Sequence, residues 1–277
     1  MIEFIDVDFH YPNGFHALRN IRCSIPSGST VAIIGNNGSG KTTLIKQVNG
    51  LLNPSGGVVR VDGISVASKP LSFWAQHVGY LFQDPNQQIF NHTVLDETLF
   101  GPRQIGMEKE EALRNALESL EQVGLMHCQQ NHPYDLTLPQ RKLVGLAGIL
   151  AMKPAVLVLD EPTMGQDAQG LERINAIIRI HAQRGGTVLA VCHDMDFVAS
   201  SFDRIVVMNQ GAILADGEVS SVFANQNVMR QADLIPPELG AIGEACGLGA
   251  GAYTPMEFVS RIAACTYPNM KEGSHHG

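Results

Sequence analysis

Eight residues, Gly35-Asn36-Asn37-Gly38-Ser39-Gly40-Lys41-Thr42, constrain the fold more than any other stretch. They match the pattern GxxxxGK[ST], directly after the apolar run 30–34 and directly before a helical run expected over 43–52. Glycines let the backbone curl until successive N–H groups face one point, and a helix N-terminus adds its positive end there. Such a turn suits a phosphate. Lys41 is placed to reach the β and γ positions of a nucleoside triphosphate, and the Thr42 hydroxyl to sit on Mg²⁺. A strand, loop and helix joined in this way belong in an α/β fold.

The rest of the chain supplies that fold. Runs 155–159 and 187–191 are almost wholly apolar, as strands buried on both faces should be, and with 30–34 they predict a parallel sheet. Between the second and third, Leu171, Ile174, Ile177, Ile178 and His181 recur at helical spacing until Gly185-Gly186 end the pattern, which makes a right-handed crossover. Residues 2–11 alternate like a half-buried strand before the turn Pro12-Asn13-Gly14, and Val58-Val59-Arg60-Val61 runs into the turn pair Asp62-Gly63. These predict an antiparallel edge joined to the parallel sheet. Strand signals vanish over 93–150, where 108–123 reads as a helix with Ala112, Leu113, Ala116, Leu117 and Leu120 on one stripe. Beyond 225 the composition shifts, and Pro236-Pro237 and Thr254-Pro255 each open a short helix. The expected organisation is a core domain over 1–224 with an α-helical subdomain inserted at 91–150. A C-terminal helical segment, suited to dimerisation, follows over 225–272, and 273–277 is a tail.

Composition narrows the function classes. The five cysteines stand alone with no CxxC pair, so neither a disulfide framework nor a thiolate zinc site is expected, and a reducing compartment fits. The longest nearly apolar stretch, 144–152, is far short of the roughly 20 residues of a spanning helix. The first ten residues carry acidic groups and neither Lys nor Arg, the reverse of a secretory signal. A formal charge of -8 disfavours a nucleic-acid partner.

Two more elements bear on the phosphate loop. The apolar run 155–159 ends in Asp160-Glu161, and two adjacent carboxylates at the end of such a strand can give one to Mg²⁺ (Asp160) and leave the other to orient a water (Glu161). Alone, such a pair also serves as a turn or helix start; beside a phosphate loop the catalytic reading gains weight. His193 follows the third buried strand, from which it could approach a γ-phosphate or serve as a structural histidine. Its neighbour Cys192 points to the opposite face, which argues against a Cys-His nucleophile pair.

Tyr11, the loop at 35–42, Gln83, Asp160-Glu161, Asp167 and His193 follow one another as in an ABC-transporter ATPase subunit, which the chain resembles over about 2–224. The resemblance implies a P-loop NTPase core with a mainly parallel sheet and an antiparallel edge. It further implies that ATP is held by Tyr11 stacked on adenine and by Gly35, Asn36, Asn37, Gly38, Ser39, Gly40, Lys41, Thr42 and Thr43. Mg²⁺ would be held by Thr42, Gln83 and Asp160. Glu161 would be the general base, His193 would hold the γ-phosphate with Lys41, and Asp167 would lie at a dimer seam. Simpler readings remain beside these: Tyr11 as a turn aromatic, Gln83 as a solvated amide, Asp167 as a helix N-cap. The stretch Phe82-Gln83-Asp84-Pro85-Asn86-Gln87-Gln88-Ile89-Phe90 is similar to the extended glutamine loop of energy-coupling factor importers, which take up vitamins or cobalt and nickel. That implies integral membrane partners, a second ATPase subunit and a peripheral place on the cytoplasmic face of the membrane.

One motif departs from the family. Its LSGGQ signature, which each subunit offers to ATP held by the partner, corresponds here to Leu136-Thr137-Leu138-Pro139-Gln140. Thr137 and Gln140 keep a hydroxyl and an amide, but Leu138 adds bulk and Pro139 has no N–H to give a phosphate. Thr137 with Gln140 can instead form a capping box, with Pro139 in the first turn, and start a helix over 141–152. A heterodimer with an intact partner signature is therefore expected over a homodimer. Two alternatives are a non-transport ABC ATPase acting on ribosomes or DNA, and a hydrolysis-poor regulatory subunit.

Overall fold

β-branched and aromatic residues alternate with polar ones at the start of the chain, and there the computed structural model, which describes residues 1–248 and 251–266, has two long antiparallel strands. These are β1 (Ile2–His10) and β2 (His16–Ile25), joined across the Pro12-Asn13-Gly14 turn. They are followed by β3 (Thr30–Gly35), the phosphate-loop helix α1 (Lys41–Ile45), β4 (Gly56–Val61), β5 (Ile64–Ser65), α2 (Leu71–His77) and β6 (Val78–Leu81). Three helices come next, α3 (Val94–Gln104), α4 (Lys109–Gln122) and α5 (Leu138–Ala151), and then β7 (Val156–Asp160), α6 (Ala168–Gln183) and β8 (Thr187–Val191). The chain continues through α7 (Met195–Ser201), β9 (Arg204–Asn209), β10 (Ala212–Glu218), α8 (Val219–Ala224) and α9 (Gln226–Gln231) to α10 (Glu238–Ala245) and α11 (Pro255–Thr266).

Six strands form the central sheet in the order β10-β9-β3-β8-β7-β6, parallel except for β10. The two-residue period of a strand divides its apolar side chains between two cores. Ala32, Ile34, Leu157 and Leu159 face the helices, while Val31, Ile33, Val156 and Val158 face the N-terminal strands and α1. Burial on both faces explains why these strands read as unbroken apolar runs.

Two expectations change. The antiparallel edge of the main sheet is β10; the N-terminal strands form a separate sheet, β2-β1-β4-β5, laid over one face. The helix expected over 43–52 stops at Ile45, because from Gln47 and Val48 the backbone bonds reach back three residues instead of four, and Gly50 then turns with φ +78. Strands β2, β5, β6, β9 and β10 have no counterpart among the runs read in the sequence; β5 is two residues long and β6 four. The helices expected after Pro236-Pro237 and Thr254-Pro255 are α10 and α11, whereas 267–272 and the tail at 273–277 lie outside the described residues.

The three helices α3, α4 and α5 pack on one another, and α5 meets the sheet at β6. Gly79 permits that approach: a Cβ there would run into Ile149 and Pro154. Gly79→Ala should therefore destabilise the chain by about 1–3 kcal/mol through overpacking. A urea midpoint equal to wild type would show that α5 can yield without cost.

Candidate functional site

The loop between β3 and α1 depends on glycines where other backbone comes close. Gly35 has φ +149 and a Cβ there would run into the Met208 carbonyl of β9; Gly40 has φ +101 and its Cβ would lie 2.7 Å from the Ala17 carbonyl. The Lys41 ammonium, almost fully buried, donates to the carbonyls of Gly35 (2.8 Å) and Asn36 (2.9 Å). Burial lowers its pKa, and the carboxylates of Glu161 and Asp160 oppose that shift. Asn36 also accepts from the Ser39 N–H, and Ser39 through its own carbonyl from Gly211. The buried Ser39 hydroxyl has no protein partner, which suits a loop built to receive phosphate oxygens.

Strand order brings the carboxylate pair beside this loop. Asp160, at the end of β7 and 2% exposed, accepts from the Tyr80 hydroxyl (3.0 Å) and from the Thr42 hydroxyl (3.3 Å). Burial raises the Asp160 pKa, and these two hydrogen bonds pull against it. Burial also raises that of Tyr80, which keeps its hydroxyl a donor. A hydroxyl and one carboxylate are hard oxygen donors of the kind Mg²⁺ takes together with substrate phosphates. Among the described residues there is no group of three or more His, Cys, Asp or Glu arranged to hold a metal by themselves.

Glu161 is held from every side. Its φ of +50 is left-handed, at about 1–2 kcal/mol for a residue with a Cβ. Its N–H donates to the Val191 carbonyl (3.0 Å), and its own carbonyl accepts from the Lys142 ammonium. The carboxylate meets His193 Nε2 through Oε1 (2.9 Å) and accepts from Gln83 Nε2 through Oε2 (3.0 Å). Lys142, 2% exposed, also donates to the Gln83 carbonyl (3.1 Å), and burial lowers its pKa to about 8 against the pull of Glu161 and Asp160.

Of the residues singled out in the sequence, Tyr11, Asn37, Gly38, Gly40, Lys41, Thr42, Thr43, Gln83, Glu161 and His193 line one cleft of about 480 Å³. Tyr11 OH lies 2.9 Å from Thr43 Oγ1, which anchors its ring beside the loop. Gly35, Asn36, Ser39 and Asp160 lie behind that lining, and Asp167, Thr137 and Gln140 do not line the cleft either. Asp167 caps α6, accepting from the Gly170 N–H (2.8 Å). Thr137 and Gln140 make the expected capping box of α5, with Pro139 in its first turn. Sequence reasoning missed Phe15, Tyr80 and Lys142. A phenol inside an apolar strand and a lysine beside the apolar stretch 144–152 were the available signals for the last two.

Comparison with known proteins bears on the family and the fold. Residues 18–164 match the family model described as ABC transporter. The energy-coupling factor transporter ATP-binding protein EcfA2 of Clostridium perfringens is 42% identical over 228 residues, covering 80% of each chain. The structure of cbiO1 from the same organism, described as part of the ABC transporter complex cbiONQ, superposes with a TM-score of 0.74 at 32% identity, covering 88% of this chain and 98% of that one. A dimeric ATP-binding cassette in a post-hydrolysis state, bound to ADP and Pi, gives 0.74 at 27% identity over 79% and 99%.

Asp160 also gives a stability test. A carboxyl whose folded pKa lies above its unfolded value binds its proton more readily in the native state, so its ionisation weakens folding as pH rises through that interval. Asp160→Asn should raise Tm at neutral pH, with the gain shrinking in acid. A lower Tm for the variant at pH 7 would count against this account.

Proposed function

The chain belongs to the ABC transporter ATPase family, and from that premise we propose that it is the subunit whose ATP hydrolysis energises import of a small molecule, a vitamin or transition-metal ion, through an energy-coupling factor type transporter. The observation that carries the chemistry is the Glu161 carboxylate, fixed between Gln83 and His193 in the cleft that also holds Lys41 and Thr42.

Each residue then has a task. The loop from Gly35 to Thr43 cradles the phosphates, Lys41 takes charge on the β and γ oxygens, and Tyr11 stacks on adenine. Thr42 and Asp160, with Gln83, hold Mg²⁺, which when bound neutralises phosphate charge. Glu161 accepts a proton from the attacking water, and His193 steadies the γ-phosphate. Asp167 is placed at the seam with the second ATPase subunit. We assign 1–224 to the ATPase domain with 91–150 as its inserted helical subdomain, a division supported by the mutual packing of α3, α4 and α5. The segment after 225 is assigned to dimerisation. The chain is placed at the cytoplasmic face of the membrane, held there by integral subunits; among the described residues no helix is long and apolar enough to cross.

The second ATPase is proposed to be a different chain. Leu138 is 43% exposed at the first turn of α5 and Pro139 follows it without an N–H, which leaves this end poorly equipped for a partner's phosphate. A partner with an intact signature completes the site holding Lys41 and Glu161, while the partner's own site receives the altered one.

Glu161→Gln should reduce turnover by about 10²-fold or more while ATP still binds, the ordinary worth of a general base. Full activity in that variant refutes the assignment. In a homodimer, Leu138→Gly combined with Pro139→Gly should raise hydrolysis about tenfold or more by restoring phosphate donors. An unchanged rate there would remove the argument for asymmetry.

A further inference from the structure

Helix α5 starts at the altered signature and runs behind the cleft, and side chains stitch it to the segment that follows β6. Arg141 Nη1 donates to Asn86 Oδ1 (2.7 Å), and Gln88 Nε2 donates to the Gly145 carbonyl (3.2 Å). Between those two ties sits Lys142, whose ammonium spans the carbonyls of Gln83 and Glu161. A lysine this buried has been taken out of water at considerable cost, and both of its partners are backbone carbonyls of residues whose side chains meet in the cleft. One of them, Glu161, is in a left-handed conformation that its surroundings must enforce. The signature residue Gln140 lies two positions earlier on the same helix, and the Pro139 carbonyl accepts from Gln166 Nε2 (3.1 Å) in the segment that links Glu161 to α6.

We propose that Lys142 is a positioning residue for ATP hydrolysis: from α5 its ammonium clamps the Gln83 and Glu161 carbonyls together, so that displacement of the signature end of α5 moves the general base and the Gln83 loop as one body. This rests on Glu161 being the general base. It goes beyond that reading by giving the chain an internal link between the helix end offered to the partner's nucleotide and the chain's own site. A rigid helix bonded at three places to one loop can carry such a displacement; a helix touching it only through apolar contacts could slide.

The test uses the full chain, purified with the subunits that accompany it from membranes, with Mg-ATP as the probe. Lys142→Met keeps the apolar stem and removes the donors. It should lower kcat tenfold or more while the KM for ATP changes less than threefold. Lys142→Gln, which keeps two N–H donors one bond short of the ammonium position, should recover threefold or more of the kcat lost in the Met variant. Independently of turnover, backbone hydrogen exchange over 82–90 and at Glu161 should quicken about tenfold or more in the Met variant, with α6 unchanged. Wild-type kcat and exchange in the Met variant overturn the proposal, as does an equal fall in both variants with KM rising in step. If Glu161→Gln turns over like wild type, the general-base reading fails, and the exchange comparison still decides whether Lys142 clamps the two carbonyls.

Discussion

The structure is organised around the Lys41 ammonium and the two loop carbonyls it holds. A cation buried at the end of β3 needs acceptors, and Gly35 and Asn36 supply them only if the chain between them and Lys41 doubles back. That curl is possible because Gly35 and Gly40 occupy φ values closed to other residues, and because their missing side chains let β9 and the Ala17 region of β2 approach. The loop thus specifies its neighbours as well as its own shape. With β9 on one side of β3 and β8 on the other, β7 falls next in order, and the carboxylates that end it come to lie across from Thr42.

Parallel strands deliver their C-terminal ends to one edge, so the residues just past β3, β7 and β8 share a site although Lys41 stands far earlier in the sequence than Glu161 and His193. The same arrangement opposes stability with function. Asp160 is buried with two hydroxyl donors that offset only part of its desolvation, and Glu161 is held in a left-handed turn. Such residues persist because the surrounding sheet and helices over-determine them.

Much of this was legible in the sequence, for identifiable reasons. Strands buried on both faces announce themselves as apolar runs, so β3, β7 and β8 could be read directly, and the loop motif marked the glycine-built turn between β3 and α1. The capping box of α5 was readable because it is a local pattern with a fixed spacing. What escaped was settled by tertiary contact. The N-terminal strands alternate as an edge of any sheet would, and nothing local says that they pair among themselves. α1 ends early through turn geometry that residues 46–50 do not advertise. Tyr80 and Lys142 act through Asp160, Gln83 and Glu161, partners far along the chain that no periodicity links to them.

Helix α5 shows two demands met on one element. Its first turn is built for helix stability: Thr137 and Gln140 satisfy each other's backbone N–H groups, and Pro139 sits where an absent donor breaks no internal bond. Those are the same N–H groups that a phosphate of a facing subunit would need. Four residues on, the helix carries different loads, since Arg141, Lys142 and the Gly145 carbonyl all engage the Gln83 loop or Glu161. The side chains at 138 and 139 therefore set what the first turn offers outward, while the inward ties are made by Arg141, Lys142 and the Gly145 carbonyl. A chain so arranged can keep its own cleft competent while contributing little to a neighbour's, and that division sits within two turns of a single helix.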